Sequence, residues 1–181
     1  MAKDLVNHQR SSWIELGREL LKRTTEPLAH VSFVIYFFVA VIVFGGIGFW
    51  VELYAFLIYN VSPTVQIAQV TSLRTAVITF FPALTGPACL QLILAESHQK
   101  SLRAFGAFFL FAITLIALGI SPEAVGNRSA LVVGFFSSMA ALWTWWIANA
   151  KQKDLLDVNP DAPLGGDKDA ALAGNLDGFT F

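Results

Sequence analysis

LRTAVITFFPALTGPACLQLILA, residues 73–95, decides the fold class. Beyond Arg74 it carries no charged side chain until Glu96. A helix needs about 20 such residues to cross roughly 30 Å of hydrocarbon. Only helices and closed barrels satisfy their backbone in lipid, and so long and continuous a run does not suit a barrel strand. Three more stretches share this character: about 29–49 with an apolar continuation to Tyr59, about 102–120, and about 130–150. The predicted fold class is all-α: a polytopic membrane protein with four transmembrane helices, an N-terminal amphipathic helix and a C-terminal tail. Composition agrees, with 55% hydrophobic and 14% charged residues and a mean hydropathy of +0.60. Soluble domains carry about 25% charged residues.

The chain divides into residues 1–28, an amphipathic cytoplasmic helix; 29–150, the four-helix membrane domain; and 151–181, an acidic cytoplasmic tail. The first 28 residues lack the short apolar core and cleavage site of a signal peptide, so the run from Ala29 is expected to act as an uncleaved anchor. Within residues 3–25, Trp13, Leu16, Leu20 and Leu21 fall on one helical stripe. Arg10, Arg18, Lys22 and Arg23 lie nearby, and Ser12-Trp13-Ile14-Glu15 fits a capping box. Two readings stand for this helix: it lies in the membrane interface, or it packs on the protein's own cytoplasmic face. Pro27 marks a break. If the next helix runs unbroken to Asn60, it is too long for the bilayer and must tilt or project.

Lys and Arg set the orientation. Lys3, Arg10, Arg18, Lys22 and Arg23 precede the first span, Lys100 and Arg103 follow the second, and Lys151 and Lys153 follow the fourth. The other side has only Arg74 and Arg128. The positive-inside rule puts both termini and the 96–102 loop in the cytoplasm and the 60–72 and 121–128 loops outside, as expected for a bacterial inner-membrane protein. Trp50, Tyr54 and Tyr59 then sit at the outer interface and Trp143, Trp145 and Trp146 at the inner one. From Asp154 onward the tail carries six aspartates against Lys168 alone; such a composition is disordered in isolation. Its last residues are more apolar than solubility requires.

No charge falls near the bilayer midplane, which argues against a proton-coupled carrier. Glu52 and Arg74 both map to the outer rim. They form either a charge pair that senses or gates on that side, or two side chains solvated separately. Pro82, Gly86 and Pro87 interrupt the second helix. Each proline removes a hydrogen bond, so the segment is a candidate hinge or water-lined path; the alternative is a static kink that shapes packing. Gly45, Gly46 and Gly48, Gly106, and the Gly134/Ser138 pair mark close-packing faces, within one protomer or between protomers. Small size suggests a homo-oligomer.

No catalytic motif is present, and no catalytic, cofactor-binding or metal-binding residues are assigned. His8, His30 and His98 lie far apart in sequence. His30 and His98 share the inner interface but lack a carboxylate partner for a metal. The single cysteine, Cys89, reads as a buried small hydrophobe. Asn60-Val61-Ser62 matches a glycosylation acceptor, a short pattern. A net charge of −1 does not suggest direct nucleic-acid binding.

In the broken helix Thr79-Phe80-Phe81-Pro82-Ala83-Leu84-Thr85-Gly86-Pro87 and the apolar end Gly178-Phe179-Thr180-Phe181, the chain resembles the membrane subunit of the Kiwa anti-phage defence system. Size and helix count are also similar. The resemblance implies a homo-oligomer that detects phage attack at the membrane and recruits a cytoplasmic DNA-binding effector.

The expected function is a non-enzymatic, oligomeric sensor or scaffold. Lys100, Arg103, Phe179 and Phe181 are the candidate partner-docking residues for a cytoplasmic soluble protein, with membrane lipids as the surrounding partner. The alternatives are a small ion channel or pore-forming effector lined by the second helix and, last, a membrane enzyme using Glu52, Glu96 and His98.

Overall fold

The computed structural model describes residues 2–58, 63–95 and 100–157. Six α-helices account for most of these residues, with no strand among them. They are α1 (Ala2–Thr25), α2 (Val31–Tyr36), α3 (Ile47–Ile58), α4 (Pro63–Ala95), α5 (Lys100–Ile120) and α6 (Asn127–Asn149). A 3-10 turn (Glu26–Ala29) joins α1 to α2, a π-helix (Phe37–Phe44) continues α2, and a 3-10 turn (Lys153–Leu155) follows α6.

α4, α5 and α6 are each long and apolar enough to cross a membrane. The count rises to four if the segments Trp13–Ala29 and Val31–Phe44, bent by 96° at His30, are taken together. The contacts favour a first span that includes α2, the π-helix and α3. Phe33 and Phe37 pack on Trp145 and Trp146 near the end of α6. Phe49 reaches the core around Val77 and Phe81. Glu52 stands beside Thr71 and Ser72 of α4. This segment therefore runs the length of the bundle, antiparallel to α4. The chain is a multi-pass membrane protein.

α4 is the central helix and packs on α3, α5 and α6. Two apolar clusters stack along it. One holds Val77, Phe81, Ile113, Ile120, Ala130 and Ala141. The other holds Ala88, Leu92, Leu102, Ile147 and Ala148. Cys89 is buried, as its apolar context suggested. Small residues set the closest approaches. A Cβ on Gly134 would collide with Val77 Cγ1, and one on Gly106 would lie 3.3 Å from the Cys89 carbonyl. These two faces serve packing within the protomer.

Several boundaries differ from expectation. α1 already begins at Ala2, so Ser12 lies inside the helix and cannot be its N-cap. No Pro or Gly in residues 3–11 stops the helix from extending backward. α4 begins at Pro63, ten residues before the expected start, and turns most of the predicted 60–72 loop into helix. Pro63 suits a first helical position, because its missing N–H would have no intrahelical partner there. α5 ends beside Arg74, so residues 63–73 of α4 carry the α3–α4 hairpin roughly 16 Å further at the usual helical rise.

The first segment is not one unbroken α-helix: its hydrogen-bond pattern changes at Gly45–Gly46, between the π-helix and α3. The Gly45 N–H reaches back five residues to the Ala40 carbonyl (2.9 Å), closing a π-turn. A Cβ at Gly45 or Gly46 would sit 2.5 Å from the carbonyl of Val41 or Ile42. The Trp50 indole N–H donates to the Ile42 carbonyl at 2.8 Å, supplying the break with an extra donor.

Gly134→Ala should lower the thermal stability of the detergent-solubilised protein by about 1–3 kcal/mol, the usual cost of overpacking a stiff neighbour. Gly86→Ala, where an added Cβ meets open space, should leave stability unchanged or raise it by up to about 1 kcal/mol through helix propensity. Equal melting shifts for the two variants would contradict the packing described.

Candidate functional site

Two polar regions occupy opposite ends of the bundle. At the end that carries α1, Arg23 is only 1% exposed. Its Nε donates to Glu19 Oε1 at 2.8 Å, and Nη1 reaches the Ile147 carbonyl of α6 at 3.4 Å. Lys151 Nζ also donates to Glu19 Oε1, at 2.6 Å. Thr24 accepts from both flanking indoles: its hydroxyl from Trp143 Nε1 and its carbonyl from Trp146 Nε1, each at 3.1 Å. Leu16 and Leu20 insert among Leu102, Ile147 and the tryptophans.

α1 therefore has three faces. The stripe Leu16, Glu19, Leu20, Arg23 is set against α5 and α6. Ile14 and Leu21 form an exposed apolar strip, and Glu15, Arg18 and Lys22 an exposed charged one. The 96° turn at His30 lays this helix across the bundle end. α1 packs on the protein's own bundle, as the second of the two readings had it, with Ile14 and Leu21 exposed on the side away from that contact. The tryptophans expected as an interfacial belt do sit at a helix end, but two of their N–H groups are bonded to α1.

Burial by itself would raise the Glu19 pKa. The hydrogen bonds and charges of Lys151 and Arg23 outweigh it and lower the carboxyl to about 2. The chain after α6 returns to the start of α2, where the Ser32 N–H donates to Asp157 Oδ2 (3.4 Å) and the Asp157 N–H donates to His30 Nδ1 (3.2 Å). Hydrogen bonding from Ser32 holds Asp157 below its ordinary value. His30 is thus tied to the segment after α6. Among the described residues no group of three His, Cys, Asp or Glu side chains is placed to hold a metal.

At the opposite end Glu52 and Arg74 do not form a charge pair, one of the two readings of that rim, and Arg74 is not simply solvated either. Arg74 is 6% exposed and fully engaged at the α5–α6 connection. It donates to Asn127 Oδ1 (3.0 Å) and to the carbonyls of Ile120 (2.8 Å), Ser121 (3.2 Å) and Pro122 (2.6 Å). A helix C-terminus leaves such carbonyls without donors and attracts a cation. Glu52 lines a separate groove of about 560 Å³ between α3 and α4, with Thr71, Ser72, Thr75 and Thr79 on the facing wall. On the other side of the Gly45–Gly46 break an apolar cavity of about 330 Å³ opens between the first span, α4 and α6. Phe49 and Phe80 border both.

The proposed hinge residues lie within one helix, since α4 is continuous through Pro82, Gly86 and Pro87. Thr85 Oγ1 donates to the Phe81 carbonyl at 2.7 Å between the prolines. The interruption in the bundle is at Gly45–Gly46 instead, where a helix bond spans five residues. Of the candidate docking residues, Lys100 is exposed at the start of α5. Arg103 is half-buried, and its Nε has no hydrogen-bond partner among the described residues. Phe179 and Phe181 lie outside the described residues, as do Glu96, His98 and Asn60. The Glu19–Arg23 spacing of four was visible in the sequence as a helical ion pair. Its third member, Lys151, and its carbonyl partner on Ile147 lie more than a hundred residues away, and no local signal marks them.

Comparison with known protein families, with characterised proteins and with solved structures returns no match.

Glu19→Gln should cost about 1–3 kcal/mol by removing the carboxylate that Arg23 and Lys151 share. It should first increase hydrogen exchange in the second half of α1. The linkage has a definite sign. A lowered folded-state pKa stabilises above the unfolded value of 4.5, and that stability is lost as pH falls toward about 2. Exchange in α1 should therefore rise between pH 5 and pH 2–3 in the wild type and much less in Glu19→Gln.

Proposed function

We propose that this chain is a non-enzymatic, oligomeric sensor or scaffold subunit of a bacterial inner membrane, whose cytoplasmic face docks a soluble protein. The observation that carries this reading is the attachment of α1. Arg23, Thr24 and Glu19 tie the helix to the ends of α6 and its extension, while Arg18 and Lys22 stay exposed on the side away from the bundle. A shift in the packing of the spans would move this charged strip as one piece. By the positive-inside rule the α1 end is the cytoplasmic one, and Lys100 lies at the same end. In an anti-phage setting such as the Kiwa resemblance implies, the docked partner would be the effector.

Affinity purification of the full chain in mild detergent tests the reading. Arg18→Glu with Lys22→Glu should lower recovery of the co-purifying soluble protein about tenfold or more while leaving membrane insertion intact, because reversed charges repel a complementary surface. Deleting residues 165–181 should likewise abolish it. Full recovery with both variants would overturn the docking model.

A small channel is the second reading. It draws on the two cavities that flank the Gly45–Gly46 break and share Phe49 and Phe80 as their partition. It requires ion flux in liposomes that Pro87→Ala alters, and silence across voltages would remove it.

A further inference from the structure

The groove beside Glu52 has an uncommon chemical bias. Thr71, Thr75 and Thr79 follow one another at single-turn intervals along α4, and each hydroxyl donates its proton to its own helix. Thr71 donates to the Ile67 carbonyl (3.0 Å), Thr75 to Thr71 (3.0 Å) and Thr79 to Thr75 (2.9 Å). With those protons committed, the three oxygens present only lone pairs to the groove they line. Pro87 has no N–H, so the carbonyl of Ala83, one turn beyond Thr79, loses its helical donor, and Ala83 also lines the groove. The Glu52 carboxylate stands near the opposite end, and no side chain among the described residues pairs with it, since Arg74 is engaged elsewhere. Among the described residues no Lys, Arg, His, Asn, Gln or Trp side chain lines this space, and the Ser72 hydroxyl is the remaining side-chain donor. Phe49 and Phe80 add aromatic surface.

We propose that this groove binds an ammonium group, with Glu52 as its counter-ion and the threonine oxygens and aromatic faces as its walls. A lining rich in acceptors and poor in donors selects for a ligand that brings its own donors or positive charge. Side chains one turn apart are about 5–6 Å from one another, too far to converge on a single bare metal ion. That spacing suits an extended amine, and aromatic faces add cation–π attraction for it. Glu52 is level with the end of α5, where a membrane's headgroups would begin. The amine can therefore be a free small molecule or the headgroup of an ethanolamine lipid. This inference rests on the membrane reading of the bundle and is independent of the partner proposed for the α1 end.

Calorimetric titration of the full chain in an uncharged detergent, with ethanolamine and tetramethylammonium as probes, tests the free-ligand source. Reconstitution into mixed phosphatidylethanolamine and phosphatidylglycerol vesicles, followed by extraction and analysis of retained lipid, tests the lipid source. Saturable binding in the first, or ethanolamine-lipid enrichment in the second, is expected to fall about tenfold or more in Glu52→Gln, which keeps the volume and removes the charge. Thr79→Val, which replaces one groove hydroxyl by a methyl, should weaken it severalfold and gives an independent reading should Glu52→Gln fold poorly. No binding in either arm, binding unchanged in both variants, or displacement of the amine by equimolar sodium or potassium would overturn the assignment. Because neither arm contains a partner protein, a negative result here leaves the docking experiment to stand or fall alone.

Discussion

Two buried arginines, one at each end of the bundle, carry the constraint on which the rest of the structure depends. Helices end with carbonyls that have no donor, and an apolar surrounding supplies none. Arg74 serves the last carbonyls of α5 and the turn after it, and also fixes Asn127 at the start of α6. Arg23 enters from α1 and reaches the Ile147 carbonyl in the last turn of α6. Each cation sits where the helix dipole is most negative. Their differences are as informative as their likeness. Arg74 donates to neutral oxygens, whereas Arg23 brings a carboxylate that Lys151 shares. The α1 end is thus joined by ionic groups that respond to acid, and the opposite end by carbonyls and an amide that do not titrate.

The second theme is where a membrane helix is allowed to break. Two prolines and a glycine in α4 made that helix the obvious place, yet it runs continuously, packed between α3, α5 and α6 on different sides. A central helix with neighbours on several faces stays helical even where donors are missing, and Thr85 lies between the prolines to bond back to Phe81. The first span has fewer neighbours, and its adjacent glycines permit the carbonyl approaches that a π-turn requires. The break also separates the polar groove from the apolar cavity, so any rearrangement there would alter both.

These features distribute the proposed roles along the molecule. The charged strip of α1 lies at one end and the acceptor-lined groove at the other, with the interrupted span running between them. Phe33 and Phe37 of that span pack on Trp146, whose indole N–H also donates to the Thr24 carbonyl of α1. Trp146 is therefore a physical link between the span and α1.

The sequence by itself determined the helical membrane class, the three long crossings, the presence of an amphipathic first helix and the burial of Cys89. Those properties follow from hydropathy summed over about 20 residues, which no tertiary contact can reverse. It also marked Gly106 and Gly134 as close-packing positions. Only the tertiary structure decided the partners of the charged groups. Arg74 and Glu52 share a rim in one dimension, but the end of α5 competes for the guanidinium and takes it. Arg23 looks like one more surface cation until α6 is brought against it. Side-chain pairing depends on which helix ends come within a few ångströms, and residues 19, 23, 147 and 151 meet only once the chain has packed.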